Sequence, residues 1–197
     1  EIILDFIRLS SSKALLQENI KILWIAQSSE LCFQAYETVK STLEKKGAID
    51  ISLGNFYDEY EITDELIEQP AIIFCGIQKL LSNYKKPIWE KIRSNCYLVI
   101  VDEAHRSVAS QWVNALNYFV SNHSVYLLGL TATPGIGNAS KDSSYSLVEY
   151  YNGNKIAITD KNYVELSNPI NYLTEKGFLA NIIRQDIDSV FEYKEDI

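Results

Sequence analysis

The chain has 197 residues, 47% of them apolar or aromatic and 22% charged, which suits one folded α/β domain and excludes the disordered and fibrous classes. No apolar run approaches the roughly 20 residues that span a bilayer, and Glu1-Ile2-Ile3-Leu4-Asp5 lacks the basic leader and cleavage site of a signal peptide. Acidic residues outnumber basic ones 26 to 18, for a formal charge of −8, the opposite of the balance usual in a stand-alone, non-specific nucleic-acid binder. Met is absent and the first residue is Glu1, so the sequence reads as a segment of something larger.

Apolar runs alternate with amphipathic stretches almost throughout, the pattern of a mostly parallel sheet flanked by helices. Residues 2–9 read as the tail of a helix, followed by the polar Ser10-Ser11-Ser12. Ile22–Ala26 is a short apolar strand. Ser28 then suits the cap of a helix whose inward face is Cys32, Tyr36, Val39 and Leu43. Lys45, Lys46 and Gly47 fit its end. Ala48–Leu53 reads as a second strand. Thr63 is placed to cap a short helix that Pro70 stops, with Ile62 and Ile67 spaced as a hydrophobic staple. Ala71–Cys75 is a third strand, turning at Gly76 into a helix with Ile77, Leu80 and Leu81. Pro87 opens another, with Ile88, Trp89 and Ile92 inward.

Tyr97–Val101 is apolar on both faces and is expected at the centre of the sheet. A helix over residues 110–121 should bury Trp112, Leu116, Phe119 and Val120. Val125–Leu128 is a fifth strand. Residues 135–146, rich in Gly, Ser and Asn, read as a loop. A short helix over Leu147–Tyr151, a weak strand at Lys155–Ile158, a helix from Asn168-Pro169 to Gly177 and an extended connector over Ile182–Val190 complete the chain. Cys32, Cys75 and Cys96 form no C-x-x-C pair, which argues against zinc or a disulfide framework and for three reduced, buried thiols in an intracellular protein. His123, in a polar connection, receives no role.

Two motifs carry chemistry. Asp102-Glu103-Ala104-His105 follows the fourth strand directly, and in open parallel sheets ligands bind beyond the carboxyl ends of the strands. An aspartate there can hold Mg²⁺, usually through water, and a neighbouring glutamate can orient a water for in-line attack on a γ-phosphate. The same residues would also suit a helix start, where carboxylates complement the dipole. Gly129-Leu130-Thr131-Ala132-Thr133-Pro134 closes the fifth strand. Pro134 biases Thr133 toward extended backbone, and hydroxyls two residues apart on an extended chain point the same way. Thr131 and Thr133 are thus placed to reach the carboxylates of the neighbouring strand end.

Together these strings resemble the superfamily-two helicases and translocases of the DEAD/DEAH-box type, most closely bacterial proteins with a restriction-subunit-like motor. Val101–Arg106 resembles motif II (Walker B) and Gly129–Pro134 motif III. Trp24–Leu31 is similar to motif Ia and Gly76–Leu80 to motif Ib. Asn168–Leu173 with Gly177–Ala180 resembles the exit from the first lobe. The resemblance implies a RecA-like P-loop NTPase lobe over residues 1–160. Residues 161–197 would then be an exit helix and connector toward a second RecA-like lobe. ATP and Mg²⁺ are the implied cofactors, and nucleic acid, DNA in preference to RNA, the implied partner. The implied setting is the bacterial cytoplasm, with no membrane partner.

By the same resemblance Asp102 binds Mg²⁺ and Glu103 activates the attacking water. His105 links the nucleotide site to motifs across the cleft, while Thr131 and Thr133 relay nucleotide state. Gln27, Ser28, Gly76, Gln78 and Lys79 hold a strand through phosphate contacts. Motif Ia departs from the pattern, with Gln27 where many members have Pro and Ser29 where many have Arg. Gln78 and Lys79 equally suit an ordinary polar helix start, and Lys85-Lys86 a solvated surface.

No G-x-x-x-x-G-K-[S/T] phosphate loop (Walker A) occurs in the 197 residues. The family pattern places it just before residues 2–9 and the second lobe after Ile197. The expectation is therefore an N-terminally truncated lobe of an ATP-dependent motor, inactive by itself. Two alternatives stand beside this: the motor of a restriction or phage-defence nuclease, and a degenerate lobe that only binds a partner or strand.

Overall fold

The computed structural model describes residues 19–46, 50–121, 124–132, 147–156, 159 and 166–177. The chain divides into two compact units, Glu1–Gly153 and Asn154–Ile197. Among the described residues the first unit holds strands β1 (Lys21–Ala26), β2 (Ser52–Phe56), β3 (Ala71–Gly76), β4 (Cys96–Asp102) and β5 (Tyr126–Leu130). Its helices are α1 (Ser29–Lys46), α2 (Asp64–Glu68), α3 (Ile77–Asn83), α4 (Pro87–Ser94) and α5 (Ser110–Val120). A 3₁₀ turn at Ala104–Arg106 follows β4, and residues 147–150 are helical.

The five strands pair in the order β2-β3-β1-β4-β5, all parallel. Alternation along each strand sends its side chains to opposite faces. Leu23, Ile25, Ile73, Val99 and Val101 join one core with Trp89, Ile92, Leu116 and Phe119, whereas Ile22, Ala26, Ile72, Phe74, Leu98 and Ile100 join a second with Cys32. Helix α1 covers the second face with Cys32, Tyr36 and Val39, and α2–α5 supply the first. All three cysteines are free and buried, and burial pushes the Cys32 and Cys96 thiols up to about 12.

Two expectations shift. The middle strand of the described sheet is β1, with β4 beside it between β1 and β5, because β3 returns between β2 and β1 and only then does the chain cross to the other side. The second strand runs over Ser52–Phe56 rather than Ala48–Leu53. The strand runs on through Gly54, where Leu66 of α2 packs directly on the backbone: a Cβ there would lie 2.2 Å from Leu66 Cδ1. Of the stretch expected as a weak strand, the described residues 155 and 156 carry no regular structure. Residues 2–9, 135–146 and 178–197, with Gly47, His123, Thr133 and Pro134, lie outside the described residues.

In the second unit, Pro169–Glu175 forms α6 with Pro at its first turn, and the Asn168 side chain accepts from Asn171 N–H at 3.1 Å. Gly177 follows at φ +73, the left-handed residue that ends a helix most cheaply. No described helix is long and apolar enough to cross a membrane.

Candidate nucleotide and strand site

Because every strand is parallel, the carboxyl ends lie along one edge of the sheet. Register aligns Ala26 with Gly76, Ile25 with Val101, and Asp102 with Leu130, so residues following β1, β3, β4 and β5 emerge at nearly one level. The chain leaves β1 toward β2 on one side and leaves β4 toward β5 on the other. The boundary between β1 and β4 is thus a switch point, where crevices form in open α/β sheets. An open cleft of about 370 Å³ lies at this edge, lined by Gln27, Gln78, His105, Arg106, Val108, Ala109 and Trp112. Residues read separately as motifs Ia, Ib and II therefore meet on one surface.

Asp102 ends β4 half-buried. Its carboxyl is held above the usual carboxylate range mainly by burial; the Glu103 N–H, donated to Oδ1 at 3.0 Å, works against this, and the Glu103 charge adds to it. Glu103 adopts the left-handed region (φ 53, ψ 51), uncommon for a residue with a Cβ. This turn re-aims the chain abruptly at the end of the strand. His105 Nδ1 lies 3.2 Å from Glu103 Oε2 and 3.2 Å from Thr131 Oγ1. A carboxylate oxygen only accepts, so Nδ1 carries the ring proton and the Thr131 hydroxyl shares it. The hydroxyl thus connects to the Glu103 carboxylate through the imidazole.

Behind this triangle the turn is tightly built. Ala104 is buried, and the buried Ser107 donates through Oγ to Ala104 O at 2.6 Å. Gly129 of β5 has no room for a side chain: a Cβ would lie 2.8 Å from Ala104 Cβ and 2.7 Å from Tyr151 Cζ. The Tyr151 hydroxyl lies 3.3 Å from Ser107 Oγ. Sequence reasoning passed over Ser107 and Tyr151; only the glycine in the Gly129-Leu130-Thr131 string, demanding a close neighbour, hinted at them.

The strand-binding candidates separate into groups. Gln27 and Gln78 are exposed and line the cleft. Ser28 Oγ accepts from Leu31 N–H at 3.3 Å, so it caps α1 as expected. Gly76 is buried and precedes α3, with Tyr57 Cβ 3.1 Å from where a side chain would start. Lys79 is drawn elsewhere. Its ammonium donates to Asp58 O at 2.8 Å and Tyr60 O at 2.6 Å and pairs with Glu61 Oε1 at 2.8 Å. These three partners engage its three donors, so Lys79 pins the 57–61 turn after β2.

The all-parallel sheet with its helices on both faces is the α/β architecture of a RecA-like lobe. More narrowly, the model of the family described as "Type III restriction enzyme, res subunit" matches residues 2–136, and the chain belongs to that family. It is thereby a helicase-like member of the ATP-dependent restriction-subunit group. No curated protein matches the chain.

Proposed function

We propose that this lobe supplies the water-activating half of an ATP-driven nucleic-acid motor, with DNA as its track. The observation that carries this is the Glu103–His105–Thr131 triangle, which joins the ends of β4 and β5 beside the switch-point cleft. Asp102 and Glu103 offer the hard oxygen donors that Mg²⁺ prefers, and Mg²⁺ takes few protein ligands, keeping waters and substrate phosphates. The fit is supported by Asp102 itself: burial and the neighbouring Glu103 charge both disfavour its ionised form, and a cation there would relieve both. Asp102 would hold the ion, which when bound neutralises charge developing on the transferred phosphoryl group.

Glu103 would accept a proton from the attacking water. His105 would hold that carboxylate and report its state to Thr131, with Thr133, outside the described residues, extending the relay toward the bound strand. Gln27 and Gln78 would meet the strand along the cleft, with Ser28 and Gly76 setting them at the starts of α1 and α3. Lys79 would join them only by exchanging one of its partners in the 57–61 turn for a phosphate. The phosphate loop's amides and lysine, absent from these 197 residues, and a second RecA-like lobe approached through residues 161–197 would complete the site. The isolated chain should therefore be inactive.

The test is Glu103→Gln in the intact protein. We expect ATP turnover to fall at least about 100-fold, the scale of losing a general base, while nucleotide binding persists. Normal turnover in that variant overturns the reading. Glu103-dependent hydrolysis by the isolated 197 residues would overturn the expected inactivity. The family description favours a restriction motor, in which this lobe drives translocation and a separate domain cuts. Glu103→Gln should then abolish ATP-dependent cleavage as well.

A further inference from the structure

We propose that Tyr151 is a positioning residue that clamps the turn after β4 to the end of β5 and so keeps the Glu103–His105–Thr131 triangle closed. The inference rests on the reading in which Glu103 activates water. Tyr151 lies beyond the residues that the family model matches, so the family description gives it no role.

One side chain touches both halves of the triangle's support. Its ring sits against the Gly129 backbone, two residues before Thr131, with Ala104 Cβ also crowding that backbone. Its hydroxyl meets Ser107 Oγ, two residues after His105, and Ser107 ties back to Ala104 O. If the ring left, the β5 end would lose the body that packs on Gly129, and Thr131 Oγ1 could drift from His105 Nδ1. A shift of about 1 Å in a catalytic constellation can cost up to roughly 100-fold in rate.

Tyr151 is itself anchored from behind. Its N–H donates to Leu147 O at 3.1 Å, and Leu147 is buried. The neighbouring Tyr150 hydroxyl donates to Asn117 Oδ1 of α5 at 3.1 Å, with the two tyrosine rings edge-to-face at 5.4 Å. The clamp is thus braced on α5, an element outside the triangle. Gly129 follows as a consequence, since any side chain there would displace the ring or Ala104.

The test compares Tyr151→Phe, Tyr151→Leu and Tyr151→Ala in the intact protein by steady-state ATP hydrolysis, with circular dichroism and melting curves. Tyr151→Phe keeps the ring on Gly129 and loses the tie to Ser107 Oγ, so kcat should fall by only a few-fold. Tyr151→Leu and Tyr151→Ala should lower kcat roughly tenfold or more at nearly constant KM for ATP, the signature of an interaction needed in the transition state. Wild-type kcat in folded Tyr151→Leu overturns the proposal, as does a Tyr151→Phe defect equal to that of Tyr151→Ala. Failure of both the Leu and Ala variants to fold also overturns it, because the ring would then be an ordinary core residue. Glu103→Gln, run in parallel, separates the two readings: normal turnover there removes the underlying role of Glu103, whereas loss there beside normal turnover in Tyr151→Leu removes only the clamp.

Discussion

At the residue scale, Glu103 combines a chemical assignment with a conformational cost. A left-handed residue carrying a Cβ stores about 1–2 kcal/mol, and Glu103 holds φ 53 without being glycine. Functional positions are where such strain persists, because the surrounding structure over-determines it. Glycine would relieve the strain but give up roughly 1 kcal/mol in extra chain entropy, so Glu103→Gly should nearly break even. Both variants lose the His105 contact, but Glu103→Ala also keeps the strain. We therefore expect the urea midpoint of Glu103→Gly to lie above that of Glu103→Ala, with both variants catalytically dead. The reverse order of midpoints would show that the left-handed turn carries no strain.

At the element scale, the edge strand β2 and the short helix α2 are fastened by one close approach. Leu66, buried, lies where any Gly54 side chain would start. Overpacking of this kind costs about 1–3 kcal/mol, and Gly54→Ala should lose that much stability in urea unfolding. Adding Leu66→Ala should recover part of the loss, a non-additivity expected of touching residues; strict additivity would show that the two do not press on each other. The same contact explains which elements are legible in the sequence. Strands β1, β3 and β4 are continuous apolar runs, and Thr63, Pro87 and Asn168 mark helix starts by local chemistry that the fold keeps. For β2 the local signal misleads, since the apolar residues point to 48–53, whereas the strand runs over Ser52–Phe56 with Leu66 as the tertiary reason for its glycine. The triangle is legible in part, because its members sit inside two strings. Its closure is not: Tyr151 lies far along the chain from Gly129, in no pattern with it. Lys79 shows a second contact that the sequence does not announce, its ammonium holding the 57–61 turn.

At the scale of the whole sheet, the two edges have opposite tasks. The carboxyl edge carries carboxylates and an imidazole beside a cleft, whereas at the amino edge, among the described residues, a lysine is buried. Lys21, first in β1, is fully buried and donates to Asn19 Oδ1 and Gln69 O. Burial lowers its pKa to about 8, partly offset by Glu68. Between pH 8 and 10.5 the unfolded chain therefore holds more of this proton than the folded one, and stability rises with pH. The buried thiols act the other way. Cys32 and Cys96 are pushed up to about 12 and Cys75 well above its usual value, so above pH 9 unfolded thiols ionise first and stability falls. The opposing slopes separate in a comparison of wild type with Lys21→Met, in which the thiols cancel and the unpaired Asn19 and Gln69 oxygens add only a constant. The stability difference, wild type minus variant, should increase from about pH 7.5 to about pH 10.5 by about 1–3 kcal/mol, because a tenfold change in proton affinity corresponds to about 1.36 kcal/mol. Urea unfolding at pH values of about 7.5, 9 and 10.5 measures it. A flat or falling difference would mean that Lys21 stays charged in the fold, and that the amino edge of the sheet holds an ammonium ion which its two oxygen partners fully compensate.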